Sequence, residues 1–433
     1  MSLLNYEEAL AFIHGRAGYG KKLGLENMRR LLRRLGNPQE AFCSLHVAGT
    51  NGKGSVCAFA ASALRAAGHR VGLYTSPYLM RYNERMQIDG RPIPDERLAQ
   101  LTAEVAEQIA QMEAAGEGVP TIFETGTAIA FLYFAREKVD VAVVEVGLGG
   151  RLDPTNVIEP LACAIARIGL DHTKVLGDTI GQIAMEKAGI IKPGVPVALQ
   201  AQEEEARARI QAVCAQRGAA CLDLTQYPPV GVVMHARGAS FHAELPGLSG
   251  DFAISLAGEH QVANAMTALA LLSLVRERMG LSLQQVQRGM LEARWPGRLE
   301  WFPQLLLDGA HNPQGVACLT AYLRRFFSNR RPVLLMGVMA NKDSAEMVRL
   351  LSPLCARAVC VRPEGIERAL DPAQLRDLFL AQGLPAETAA SSLEGLQRAR
   401  QLAGQDGLVL CCGSLYLVGE IRLSLMKDDS AAS

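Results

Sequence analysis

His46-Val47-Ala48-Gly49-Thr50-Asn51-Gly52-Lys53-Gly54-Ser55 runs from an apolar, strand-like stretch directly into a helical one rich in small residues. Glycines at such a junction let backbone amides approach an anion, and the helix N-terminus behind them adds partial positive charge. Lys53 can reach terminal phosphates, and Ser55 is placed to meet them or a bound Mg²⁺. The strict phosphate-loop pattern is broken twice, because Val47 stands at its first glycine and Gly54 separates Lys53 from the hydroxyl. A lysine in a turn directly after a buried strand still argues against an ordinary glycine turn. The stretch therefore reads as a phosphate loop in a parallel α/β fold.

The pattern extends outward in both directions. Short β-branched runs at 45–48, 71–74, 139–146, 161–168 and 195–199 alternate with helical stretches such as 56–67 and 125–136, as in a parallel sheet covered on both faces. Residues 226–257 are punctuated by Pro228-Pro229, Gly231, Gly238, Gly247 and Gly250 and suggest a small antiparallel part, with a helix following over 261–279. Arg294-Trp295-Pro296-Gly297-Arg298 interrupts everything regular. Beyond it strands are expected at 304–308, 332–338, 358–361 and 408–412. The expectation is a first domain over 1–295, a second α/β domain over 298–433, and a disordered tail over 427–433.

Composition narrows the class. The 433 residues hold 49% apolar and 20% charged side chains, enough for two large cores. Forty-four basic residues balance 44 acidic ones, which argues against a nucleic-acid binder. Ten scattered cysteines without C-x-x-C suit reduced cytosolic thiols rather than a zinc ribbon or a secreted framework. Neither a basic leader with an apolar stretch nor a run of about 18 apolar residues is visible, so a cytoplasmic protein free of the membrane is expected.

Ligands gather outside the carboxyl ends of parallel strands. Ser76, Glu145 and His172 fall just past or at such ends and open onto the phosphate-loop edge if their strands are parallel. A hydroxyl, a carboxylate and an imidazole there suit Mg²⁺ with retained waters. Lys187 lies near −20° on the helical wheel of 179–189 when Ile180 is set at zero, between Ile183 at −60° and Ala184 at +40°. A lysine inside an apolar stripe is paired, snorkels or is chemically altered. Asp178 reads as that helix's N-cap. Asp308 and His311 follow the strand at 304–308, and Gly413-Ser414 follows the one at 408–412. Two facing crevices suggest closure around ligands.

Taken together, these strings resemble the folylpolyglutamate synthase/dihydrofolate synthase family, relatives of the Mur ligases, from about Ile13 to Tyr416. The marks are the loop itself, Glu145-Val146-Gly147-Leu148-Gly149-Gly150-Arg151-Leu152-Asp153, Leu170-Asp171-His172-Thr173, Glu186-Lys187-Ala188-Gly189-Ile190, Pro296-Gly297-Arg298 and Asp308-Gly309-Ala310-His311-Asn312-Pro313. The resemblance implies a phosphate-loop ATPase domain with a mainly parallel sheet, and a smaller Rossmann-like C-terminal domain that closes over glutamate and ATP. It implies ATP at Thr50, Asn51, Gly52, Lys53, Gly54 and Ser55, with Asn264, Arg298 and Asp308 contributing. Mg²⁺ would be held by Ser76, Glu145 and His172, and Lys187 is a position that the family carbamylates. Lys53, Lys187, Asp308 and His311 would serve catalysis. Folate or dihydropteroate would lie near Ile13, His14, Thr121, Phe123, Glu124, Leu152, Asp153 and Pro154, with Ser414 completing the substrate set. Pro154 replaces an alanine of some relatives, so polyglutamylation is implied more firmly than dihydropteroate use. The activity implied is ATP-dependent ligation of L-glutamate through an acyl phosphate, by a monomer. A rival is another Mur-type ligase with a different carboxylate substrate, although only about 45 residues precede the loop. A nucleotide switch without a product is the other, and it would not need the second crevice.

Overall fold

The computed structural model describes residues 4–16 and 24–431, with side chains described up to Lys427. Eight strands form the first sheet: β1 (Cys43–Ala48), β2 (Val71–Tyr74), β3 (Met86–Ile88), β4 (Arg91–Pro92), β5 (Val141–Glu145), β6 (Ala162–Ile165), β7 (Val197–Leu199) and β8 (Cys221–Asp223). Their spatial order is β4-β3-β2-β5-β1-β6-β7-β8. The pairings from β2 through β8 are parallel, and β3 and β4 add an antiparallel edge. Both faces of β1 and β5 are buried, as parallel strands under helices require, with Ser44 and His46 as polar exceptions on one face of β1 and Glu145 at the end of β5. Strand β1 is central, with β5 on one side and β6 on the other, so the order reverses across it and opens a crevice at its carboxyl end.

β9 (Val230–His235), β10 (Gly238–Leu245) and β11 (Leu248–Ile254) form an antiparallel sheet, as the glycine punctuation suggests. Helices Lys53–Ala66, Glu259–Val275 and Leu283–Glu292 pack between it and the first sheet around Phe59, Phe241 and Leu269. A third sheet takes the order β12-β13-β17-β14-β15-β16, from β12 (Glu300–Phe302), β13 (Leu305–Leu307), β14 (Val333–Met336), β15 (Arg357–Cys360), β16 (Ala386–Thr388) and β17 (Val409–Cys412). It is parallel apart from β12. Mixed α/β architecture with a second C-terminal sheet is thus what the alternation foretold.

Three local expectations change. The Ile180–Ala188 helix is capped by Thr179 in a capping box with Gln182, not by Asp178, because the threonine hydroxyl meets the Gln182 N–H at 3.2 Å. The tail is helical, since the last helix runs over Leu415–Ala431, with Leu417, Val418 and Ile421 buried against the third sheet. Only Ala432 and Ser433 of the expected disordered tail lie outside the described residues. The edge strands β3, β4, β8, β12 and β16, two or three residues each, escaped the reading of hydropathy.

Candidate functional site

The phosphate loop leaves β1 and enters the Lys53–Ala66 helix, whose N-cap is Gly52 at φ +88° and whose first turn has no side-chain cap. The helix therefore presents orphan N–H groups, the donors an anion needs. Gly52 is required twice over: its φ is left-handed, and a Cβ there would lie 2.3 Å from Asn264 Oδ1. A Cβ on Gly54 would lie 2.7 Å from the Trp295 ring, which explains the glycine intervening before Ser55. The amides of Thr50 and Asn51 do not face a ligand, because both donate to the Arg167 carbonyl, at 2.9 and 3.3 Å. The cradle expected over the whole loop is thus reduced to its helical end.

Glu145 ends β5 beside that turn and is 4% exposed. Its Oε2 accepts the Ser76 N–H at 2.9 Å, while Oε1 stands 4.0 Å from Lys53 Nζ, beyond hydrogen-bond reach. Burial pushes its pKa up, and the Lys53 ammonium partly offsets this. A buried carboxylate with one oxygen so loosely engaged fits a hard cation. His172, only partly enclosed, has its pKa lowered by partial desolvation and by Lys342, Lys53 and Lys187, against Asp171. Its neutral ring is fit for ligation. Among the described residues no three His, Cys, Asp or Glu side chains converge on one point.

Lys187 is 4% exposed, and its ammonium donates to the Gly49 carbonyl at 2.8 Å. Burial, reinforced by the Lys53 charge, brings its pKa down to about 7. The helical wheel placed it on the buried face, and the structure does the same.

A cavity of about 540 Å³ opens between the loop, the Glu259–Val275 helix and the C-terminal sheet, a size suited to a nucleotide. Asn51, Gly52, Ser55, Asn264, Arg298 and Asp308 line it. Thr50, Lys53 and Gly54 stand off its wall. Asp308 is buried, its two oxygens accepting the N–H groups of Leu299 and Ala310 at 2.9 Å each. Its pKa is raised by burial and eased by Arg298. His311 Nδ1 meets the Gly309 carbonyl at 2.9 Å, and burial holds its pKa at about 4. The two halves touch through Asn51, whose Nδ2 donates to Gln314 Oε1 at 2.6 Å, and through Lys342, paired with Asp171 at 3.0 Å.

The substrate set divides. His14, Phe123, Leu152 and Pro154 keep accessible surface. Ile13 does not: at 0% exposure its side chain is part of the core with Met28 and Phe131. Thr121 and Glu124 form a reciprocal capping box, each accepting the other's N–H. Asp153 is buried and already accepts the N–H of Leu148 and both donors of Thr155. Ser414 is 1% exposed, and its hydroxyl accepts the Tyr416 N–H. Local bonding therefore occupies four residues expected to face substrate. Gln261 went unread: buried, it donates to Ser55 Oγ at 3.2 Å and accepts from Asn264 Nδ2 at 3.1 Å, tying two expected ATP residues together. It is a lone glutamine three residues before Asn264, and only that helical spacing signals it.

Residues 47–272 match the family described as Mur ligase middle domain, and residues 297–415 match Mur ligase, glutamate ligase domain. The chain is 37% identical over 435 residues to the dihydrofolate synthase/folylpolyglutamate synthase of Bacillus subtilis, covering 97% of this chain and 99% of that one. It is similar in structure to the Mycobacterium tuberculosis folylpolyglutamate synthase complexed with ADP and AMPPCP, with a TM-score of 0.87 and 30% identity over 97% and 99% of the two chains. An FPGS–AMPPCP–folate complex matches with a TM-score of 0.84 and 34% identity over 98% of this chain and all of that one.

Proposed function

The chain belongs to the folylpolyglutamate synthase/dihydrofolate synthase family of Mur ligases, and from that premise we propose how its residues divide the reaction. It is an ATP-dependent ligase that joins L-glutamate to folates. A carboxylate and an amine form no amide until the carboxylate is activated. The γ-phosphoryl of ATP passes to the folyl carboxylate oxygen, its bond to the β-phosphate breaks, and acyl phosphate and ADP result. The free amine of glutamate then attacks the acyl carbon, the C–O bond to phosphate breaks, and the amine proton passes to solvent.

Lys53, Ser55 and the first-turn amides hold the transferring phosphates, while Asn264, Arg298 and Asp308 hold the rest of the nucleotide. Stabilisation of the moving charge is by position and electrostatics. Glu145, with Ser76 and His172, would hold Mg²⁺, which would supply positive charge to the phosphoryl oxygens. Lys187 adds CO₂ as the free amine, losing a proton and becoming a carbamate anion. His14, Phe123, Leu152 and Pro154 border the pterin-bearing substrate. His311 stays neutral on the glutamate side. Residues 298–433 close on residues 1–295 and keep water from the acyl phosphate. A site completed within one chain supports a monomer. Ten free cysteines support a reducing, cytoplasmic setting, and no described helix is long and apolar enough to cross a membrane.

The observation that carries this reading is the cavity itself, walled by the phosphate loop on one side and by Arg298 and Asp308 on the other. The test offers ATP, Mg²⁺ and glutamate with tetrahydrofolate and, separately, dihydropteroate, and weighs the products. A mass gain of one glutamyl residue on tetrahydrofolate is expected. ADP release indifferent to glutamate would return the reading to a nucleotide switch.

A further inference from the structure

We propose that Arg85 binds the terminal carboxylate of the folyl substrate, the one that becomes phosphorylated; this rests on the ligase reading above. Arg85 immediately precedes β3, and its carbonyl accepts the Thr75 N–H at 2.9 Å. That bond holds it beside Thr75-Ser76, the turn whose Ser76 N–H meets Glu145. Its guanidinium lies over two rings, 5.4 Å from the centre of Tyr78 and 5.3 Å from that of Tyr82. Thr127 spends its hydroxyl proton on the Phe123 carbonyl at 2.8 Å, so Tyr74 must donate to Thr127 at 3.0 Å. The Tyr74 oxygen is left with free lone pairs in reach of the Arg85 charge.

No carboxylate among the described residues stands within ion-pair distance of this guanidinium, and its Nε–H is buried without a partner. Glu84, its neighbour in sequence, is spent on the N–H groups of Leu79, Met80 and Arg81. Glu145 is engaged by Ser76 and faces Lys53. A ring-walled cation without a counter-ion is costly unless a ligand supplies one. Its surroundings say which. The Arg85 charge acts on Glu145 on the phosphoryl side and on His14 on the side expected to border the pterin. Tyr74, whose oxygen also feels the Arg85 charge, packs 6.1 Å from Phe123. A molecule lying from His14 and Phe123 towards Glu145 brings its far end past Arg85. The folyl substrate ends there in a carboxylate, and the planar guanidinium fork matches that group bidentately.

The test measures Kd for a folate and for its terminal carboxamide in wild type and in Arg85→Gln, with KM for ATP and glutamate and a melting curve for each protein. Wild type should prefer the acid by about 10- to 100-fold, the range of a charge-assisted hydrogen bond, and Arg85→Gln should lose that preference. KM for ATP and glutamate should stay within about 2-fold, because those sites lack this group. An acid-over-amide ratio equal in both proteins overturns the proposal, as does a variant that weakens ATP and folate alike. If Arg85→Gln melts early, the ratio is read in Arg85→Lys, which keeps the charge without the fork. A several-fold smaller ratio than in wild type supports the proposal, and an unchanged one overturns it. Failure of the wild type to make glutamyl product would instead strike the ligase reading.

Discussion

Lys187 shows how one buried amine changes chemistry through its surroundings. With its pKa near 7, the free amine that can take up CO₂ is plentiful above neutrality and scarce below it. With bicarbonate limiting, activation should therefore fall as pH drops below about 7, measured as initial ADP formation. Lys187→Ala should fold yet lose most ligase activity, and acetate should restore part of it by filling the vacated space. An active Lys187→Ala without acetate would leave the lysine a buried hydrogen-bond donor to Gly49. The same shift bears on stability. The unfolded chain holds this proton up to about 10.5, so burying the ammonium weakens the fold at and below pH 7, and the penalty fades between about 7 and 10.5. Lys53 is simpler, since its side chain leaves the core and points along the loop. Lys53→Ala should cut ADP formation about 100-fold or more while the melting temperature moves by no more than about 2 °C.

The Ile122–Arg136 helix carries a prediction of its own through its capping box. Thr121→Ala should cost about 1 kcal/mol in urea unfolding, and Thr121→Ser should recover it. This helix also shows where the sequence was legible and where it was not. The glycines and lysine of the phosphate loop and the 3.6-residue spacing that buries Lys187 are local signals and were read, whereas the Thr-x-x-Glu start here was assigned to a substrate site and the helix expected from 125. The surroundings of Ile13, Asp153 and Ser414 were not legible, because a resemblance transfers position and not packing, and the neighbours that enclose each side chain are not revealed by the string. Gln261 and Arg85 were missed for the opposite reason. Ser55 lies 206 residues before Gln261, and an arginine ahead of a three-residue strand looks like any exposed charge. The two sheets were readable because parallel strands are apolar on both faces. Their edge strands were not, being too short for a period to appear.

Across the whole molecule, the two halves meet through several polar contacts, among them Asn51 with Gln314, Arg325 with Glu259 and Lys342 with Asp171, and the last pair is largely shielded, with side-chain exposures of 14% and 17%. Lys342→Met should loosen closure and let water reach the activated carboxylate. The ratio of ADP to glutamyl product should rise about two- to five-fold, as expected for a pair worth up to about 1 kcal/mol. An unchanged ratio would show that this contact does not hold the halves together during turnover. The packing of Trp295 against Gly54 has a different consequence. The chain has two tryptophans. One lies against the nucleotide loop, and the other, Trp301, sits 5.5 Å from Phe327 with its indole N–H on the Tyr322 hydroxyl. The protein thus carries an optical reporter in each half. Trp295→Phe leaves a fluorophore that watches the C-terminal part, and Trp301→Phe leaves one that watches the loop, so nucleotide arrival and domain motion can be timed as separate emission signals without any attached dye.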